Sequence, residues 1–305
     1  MMKKYHLYKV DLGYSSTAFV KIKSILDVVF IFQYAPSGSL AGKTIFLYKL
    51  LLSIIQNKKS HYEMPSFYFD SNRCFILIPW SQSKDEKFCL ITKNSFSKHS
   101  KSVRADLLLK NEYDGAIAFH ELLNTNGVLV QIPNYINKHE GSILEYPLLK
   151  GKRNKGIIDL DFNHFSNVCD FYQTLYFKKS KVVLDSFLKP NYPHIYKELF
   201  EMLYQRKIIE VNVSPMHGDF SNSNVMKVND DIVIIDFEEY IKEGVDIENE
   251  YYKFRYRFDR YKSFSIRSDV DLLCVYHYLF FQSKNESKFT FDNITLDNNE
   301  LRLLL

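Results

Sequence analysis

The segment Met216-His217-Gly218-Asp219-Phe220-Ser221-Asn222-Ser223-Asn224 gathers a histidine, an aspartate and an asparagine, and a second aspartate, Asp236, closes the apolar run Ile232-Val233-Ile234-Ile235 soon after. An aspartate can take a proton from an attacking hydroxyl, while asparagine and aspartate oxygens suit Mg²⁺, a hard cation that also carries phosphates. The stretches SNVMKV and DIVIIDF flank Asn229-Asp230-Asp231, which is the pattern of a β-hairpin. Such a hairpin brings Asn224 and Asp236 to one end. Taken singly, Asp219 reads as a loop cap and Asn224 as a turn residue. Together with Asp236 at this spacing they describe a site for phosphoryl transfer, with Asp219 as base. His217 belongs to the same catalytic segment and is expected to hold the loop by hydrogen-bonding backbone.

His-Gly-Asp, an asparagine five residues after the aspartate, and an apolar strand ending in Ile-Asp-Phe-Glu resemble the aminoglycoside phosphotransferase and choline kinase superfamily, which has the protein kinase-like fold. The resemblance covers about residues 66 to 290. It implies an α+β bilobal fold with a strand-rich N-lobe and a mainly helical C-lobe. It also implies that Asp219 is the catalytic base, that Asn224 and Asp236 bind the metal of Mg-ATP, and that Glu238 supports the metal site. Phe237-Glu238-Glu239 after Asp236 is closer to small-molecule kinases than to the Asp-Phe-Gly of protein kinases. Nucleotide phosphates need a strand lysine pinned by a helix glutamate; Lys93 near the end of KFCLITKN and Glu112 on the next helix are the candidates, with Glu121 further along that helix. Leu144, Glu145 and Tyr146 become the link between lobes, where backbone groups receive adenine. The implied cofactors are ATP, or GTP, and Mg²⁺. The turn SQSKDE contains no glycine, whereas kinases commonly place a glycine-rich turn over the phosphates. A non-catalytic nucleotide-binding or partner-binding protein is therefore the alternative.

The elements that must position these residues follow from periodicity. Strands are expected at 15 to 22, 27 to 34, 73 to 80 and 87 to 94, the last two as a hairpin. IFLYKLLLSIIQ reads as a helix. A basic loop holding Lys98, His99, Lys101 and Arg104 precedes a helix, ADLLLKNEYDGAIAFHELLNTNG, and SILEYPL at 142 to 148 is strand-like. Helices are expected in FSNVCDFYQTLYF, YPHIYKELFEMLYQRKI and SDVDLLCVYHYLF, where Asp269 and Asp271 read as helix-start residues. The expected domains are an accessory layer at 1–65 packed on the N-lobe, an N-lobe at 66–146, and a C-lobe at 147–305. GSLAGKT at 38 to 44 imitates a phosphate-binding loop but has three residues between Gly38 and Gly42 where four are needed; it reads as a turn into a helix.

Composition narrows the classes. A chain of 305 residues can bury a sizeable core. Its four cysteines lie far apart, a pattern of neither zinc site nor disulfide framework. Net charge is +4, from 40 Lys and Arg against 36 Asp and Glu, which argues against a nucleic-acid partner. The apolar runs ILDVVFIF and IFLYKLLLSII fall short of the ~20 residues that a membrane span requires, and the basic start lacks the apolar core of a signal peptide; a cytoplasmic protein is expected. The acceptor is expected to be a small hydroxyl-bearing molecule. DFEEYIKEGVDIENE is acidic enough to attract an aminoglycoside or choline-like cation, and KFRYRFDRYK at 253 to 262 mixes the basic and aromatic residues that meet sugar phosphates or anionic lipid and glycolipid surfaces.

Overall fold

The computed structural model describes residues 2–149 apart from 14–15, 25, 37–38, 66–73, 80–86, 123–127 and 139–140, and beyond them residues 152–153, 180–183, 210–228, 231–245, 251–252, 271 and 274. In chain order the elements are β1 (Met2–Gly13), β2 (Ser16–Lys21), α1 (Asp27–Tyr34), α2 (Leu40–Ile55), β3 (Lys59–Pro65), β4 (Phe75–Pro79), β5 (Lys87–Ile91), β6 (Ser95–Ser100) and α3 (Val103–Leu122). Then come β7 (Val128–Val130), β8 (Asn134–Lys138), β9 (Gly141–Pro147), β10 (Lys152–Arg153), β11 (Ser180–Val183), β12 (Glu210–Met216), β13 (Val225–Val228), β14 (Asp231–Ile234) and β15 (Ile241–Val245). The architecture is α+β. The three helices expected after residue 160 fall outside the described residues, except that Asp271 and Cys274 are helical. KFRYRFDRYK also lies outside them. Among the described residues no helix is long and apolar enough to cross a membrane.

The chain divides into two units, residues 1–113 with 132–150 and residues 114–131 with 151–305. The first holds an eight-stranded sheet in the order β3-β1-β2-β4-β5-β6-β9-β8, every neighbouring pair antiparallel. Residues 1–65 are thus not an accessory layer: β1, β2 and β3 continue the sheet that β4 and β5 begin. Strand alternation explains why it is buried on both faces. Val10, Ala18, Val20 and Ile76 face a cluster with Phe30 and Ile31 of α1 and Phe46 and Leu50 of α2. Their neighbours Leu7, Phe75, Leu77, Phe88 and Leu90 fill a second cluster with Tyr5.

Two expected elements change character. Residues 27–34 form α1, not a strand, and Asp27, Phe30 and Ile31 are its buried residues, the i, i+3, i+4 spacing of a helix. The Asp27 carboxylate Oδ2 accepts from the amides of Lys23 and Ser24 at 3.0 Å each, which fixes the entry. The basic loop at Lys98 and His99 is strand β6. The other expectations at this level agree: Ser39 caps α2 by accepting from the Gly42 amide at 3.0 Å, so Gly42 lies inside a helix and cradles no phosphate.

The second unit holds a sheet in the order β10-β13-β14-β7. β13 and β14 form the expected hairpin, Val225 opposite Ile234 and Val228 opposite Asp231, and β7 adds in parallel to β14. Val225, Ile232, Ile234, Val128 and Val130 point into a core closed by Ala116, Phe119, Phe220, Phe237 and Tyr252. A second sheet runs β11-β12-β15, delivering the chain from β12 directly into the His217 segment.

Candidate active site

In the second unit, three backbone links assemble the segment around Asp219. His217, fully buried, donates from Nε2 to the Ile235 carbonyl at 2.9 Å, so the residue preceding Asp236 is tied to the residue two before Asp219. The Ile235 amide donates to the Asn224 carbonyl at 3.0 Å, extending the hairpin register to the two expected metal ligands. Asn224, at the end of a single 3-10 turn spanning Asn222–Asn224, donates from Nδ2 to the Asp219 carbonyl at 2.8 Å and to Asp219 Oδ2 at 3.2 Å. With Nδ2 engaged, Oδ1 is the atom Asn224 offers to a cation. The Asp236 backbone adopts φ 71°, a left-handed turn that a carboxylate residue tolerates better than most. Asn224 Oδ1 and the Asp236 carboxylate are oxygen donors of the kind Mg²⁺ prefers, so the residues present fit that ion.

Close packing fixes the loop that carries Asp236 and Glu238. Gly218 has φ +87°, and a Cβ there would lie 1.9 Å from the Glu239 carbonyl oxygen. Only glycine permits that approach. A Cβ on Gly115 of α3 would lie 2.7 Å from Tyr240 Cβ and 2.9 Å from Phe237 Cβ. Phe237 also packs on Phe119 and His217, with ring centroids 5.0 Å and 4.6 Å away. Burial, and after it the Asp114 charge, raise the Tyr240 phenol above its ordinary pKa. Glu238 is half-buried in the turn that follows Phe237.

In the first unit the expected lysine–glutamate pair exists with a different lysine. Glu112 is fully buried on α3, and its Oε2 receives Lys98 Nζ at 2.7 Å. Lys98 points inward from β6, its side chain 6% exposed. Lys93 lies past the end of β5, 57% exposed, and pairs with Asp27 at 3.0 Å. Burial pushes the Asp27 carboxyl up, but the amides of Lys23 and Ser24 and the Lys93 ammonium outweigh it, leaving Asp27 below the usual carboxylate range. The Lys93–Glu112 pairing is therefore replaced by Lys98–Glu112. The hydropathy of this segment does not mark Lys98 as inward-facing, because Ser97, Lys98, His99 and Ser100 are polar yet buried.

The expected adenine link, Leu144 to Tyr146, lies within β9. Leu144 and Glu145 lie between two paired strands, opposite Lys98 and Ser97 of β6 on one side and Tyr135 and Asn134 of β8 on the other. The backbone of both is flanked by ladders. β8 begins opposite Glu145, and the hydroxyl of the next residue, Tyr146, donates to Glu112 Oε1 at 2.6 Å. A second tie holds the start of α3: Asp106 Oδ1 accepts from the Ser142 amide at 2.8 Å and from the Ser100 hydroxyl.

No protein-family model matches this chain, and no curated protein matches it. Solved structures similar to it include the GDP complex of wild-type aminoglycoside 2'-phosphotransferase-IIIa, at 12% identity over 72% of this chain and 88% of that one, TM-score 0.42. The choline kinase LicA from Streptococcus pneumoniae is 13% identical over 75% of this chain and 91% of that one, TM-score 0.40. A spectinomycin phosphotransferase in complex with ADP and spectinomycin is 12% identical over 71% and 78%, TM-score 0.38. TM-scores below 0.5 establish no shared fold, so the functional reading stands on this chain's own residues.

Proposed function

We propose that this protein is a phosphotransferase that moves the γ-phosphoryl group of ATP or GTP to a hydroxyl of a small molecule. The observation that carries the reading is the joined Asp219, Asn224 and Asp236 segment: a half-buried carboxylate oriented by an asparagine amide, beside two oxygen donors that suit Mg²⁺. The acceptor hydroxyl gives its proton to Asp219 as its oxygen bonds to phosphorus, while the bond to the leaving diphosphate breaks. Asn224 Oδ1 and the Asp236 carboxylate, with Glu238 in support, would hold Mg²⁺, whose chemistry there would be to neutralise phosphate charge. Lys98, ion-paired to Glu112, takes the role expected of Lys93 and stabilises phosphate oxygens. His217 takes no proton in this scheme; it holds the Asp219 segment to Ile235.

The acceptor class consists of sugars, aminoglycosides, amino alcohols and surface-polysaccharide precursors, and the protein acts in the cytoplasm. Transfer from ATP and from GTP, with Mg²⁺ and a panel of these acceptors, is the test. Acceptor-stimulated release of the nucleoside diphosphate with phosphate recovered on the acceptor supports the reading. A folded protein that binds neither nucleotide removes it.

A further inference from the structure

Strand alternation places Lys98 and Tyr146 on the same face of the sheet. Lys98 stands opposite Leu144, and Tyr146 follows two residues later opposite Phe96, so the Lys98 ammonium and the Tyr146 hydroxyl converge from adjacent strands. Between them comes the Glu112 carboxylate from α3, with Lys98 on Oε2 and the Tyr146 hydroxyl on Oε1. Glu112 is wholly enclosed and Tyr146 half-buried. Charge-assisted hydrogen bonds are short and directional, and two of them, one to each oxygen, fix the plane of a carboxylate as one alone does not.

We infer that Tyr146 is a positioning residue for the proposed phosphoryl transfer: its hydroxyl sets the orientation of Glu112 and, through it, the place of the Lys98 ammonium. The inference rests on the reading of Lys98 as the phosphate-binding lysine. Nothing in it requires Tyr146 to touch the nucleotide. The Tyr146 ring lies 6.3 Å, centroid to centroid, from Phe96, so Tyr146→Phe keeps the ring packing and removes only the donor. The tie of Asp106 to Ser100 and Ser142 is untouched by that change, and α3 stays docked at its start.

Two readouts test the inference in the full-length protein. The first is the ¹⁵N-detected signal of the Lys98 ammonium, assigned by its loss in Lys98→Met. A buried, fixed ammonium gives a slowly exchanging resonance, and Tyr146→Phe should shift it and speed its exchange. The second is kinetic: Tyr146→Phe should lower kcat about tenfold, equivalent to about 1.4 kcal/mol, with the nucleotide KM within about twofold. In a Glu112→Gln background the same substitution should add little, since coupling through a shared partner is non-additive. An unchanged Lys98 resonance in a folded Tyr146→Phe protein overturns the inference, as does a full additional loss in the Glu112→Gln background. If the wild type transfers no phosphate at all, it is the phosphotransferase reading that fails, and the Lys98 resonance still decides whether Tyr146 sets the pair.

Discussion

Replacing each of the two lysines in turn should give opposite results, and the structure sets the size of each. Lys98→Met leaves the Glu112 carboxylate, 1% exposed, without the cation bonded to Oε2. Removing one partner of a buried ion pair costs about 3–5 kcal/mol. Lys93→Met removes a half-exposed ammonium from Asp27, which keeps the two backbone amides of Lys23 and Ser24; an ion pair of that exposure contributes about 0–1 kcal/mol. The double variant Lys98→Met with Glu112→Gln should recover much of the first loss, because the uncompensated buried charge is gone. Urea unfolding followed by far-UV circular dichroism gives the stabilities, and calorimetric titration with Mg-nucleotide gives binding. Lys98→Met should weaken nucleotide binding and Lys93→Met should leave it nearly unchanged. If Lys93→Met proves the more costly change, or alone abolishes nucleotide binding, the assignment of Lys98 is refuted.

Gly218→Ala places a Cβ against the Glu239 carbonyl at a positive φ; the left-handed backbone alone costs about 1–2 kcal/mol, so thermal unfolding should shift down and any transfer activity fall through displacement of the Asp219 segment. His99, buried, stacked on Phe88 at 4.6 Å and hydrogen-bonded to Ser97, is pushed down to about 3 by burial. Its folded pKa lies below the unfolded value of about 6.5, so its neutral form favours the fold above that pH and stability is lost as pH falls through the window between the two. From pH 6.5 to 5 the loss from this one group is about 2 kcal/mol, and urea midpoints should show it shrinking in His99→Phe. Burial, and after it the Asp27 charge, push the Cys74 thiol up to about 12 despite Lys93, so iodoacetamide at pH 8 should leave Cys74 unmodified in the native protein and label it in urea.

The local arrangement around Asp219 was legible because it is short-range in sequence. Asp219, Asn224 and Asp236 are joined by one hairpin, and the turn residues Asn229-Asp230-Asp231 announce it. β6 was not legible, for a physical reason: Ser97, Lys98, His99 and Ser100 are polar yet buried, each satisfied by a partner distant in sequence or on the same strand. Ser97 meets His99, Lys98 meets Glu112, and Ser100 meets Asp106 and Ser142. A hydropathy pattern does not show that satisfaction, so the segment reads as a basic loop and the sequence points to Lys93 instead. α1 differs in the opposite direction, since the run Val28-Val29-Phe30-Ile31-Phe32 carries strand propensity, and its helical spacing shows only when Asp27 is counted as an inward residue. β1 and β3 were missed because their polar and aromatic residues alternate too irregularly, and without them the first 65 residues looked separate from the sheet they help to build.

The most direct measurement compares wild type with Asp219→Asn for phosphate transfer to an acceptor under saturating Mg-nucleotide, with nucleotide affinity measured on the same samples. Asparagine preserves the shape of the side chain and its contact with Asn224 while removing the base, so kcat should fall about 10²–10⁴-fold with nucleotide affinity changed little. Transfer that persists in Asp219→Asn at the wild-type rate would contradict the account, for it would mean that the proton leaves by another route and that the His217 to Asp236 segment serves binding alone.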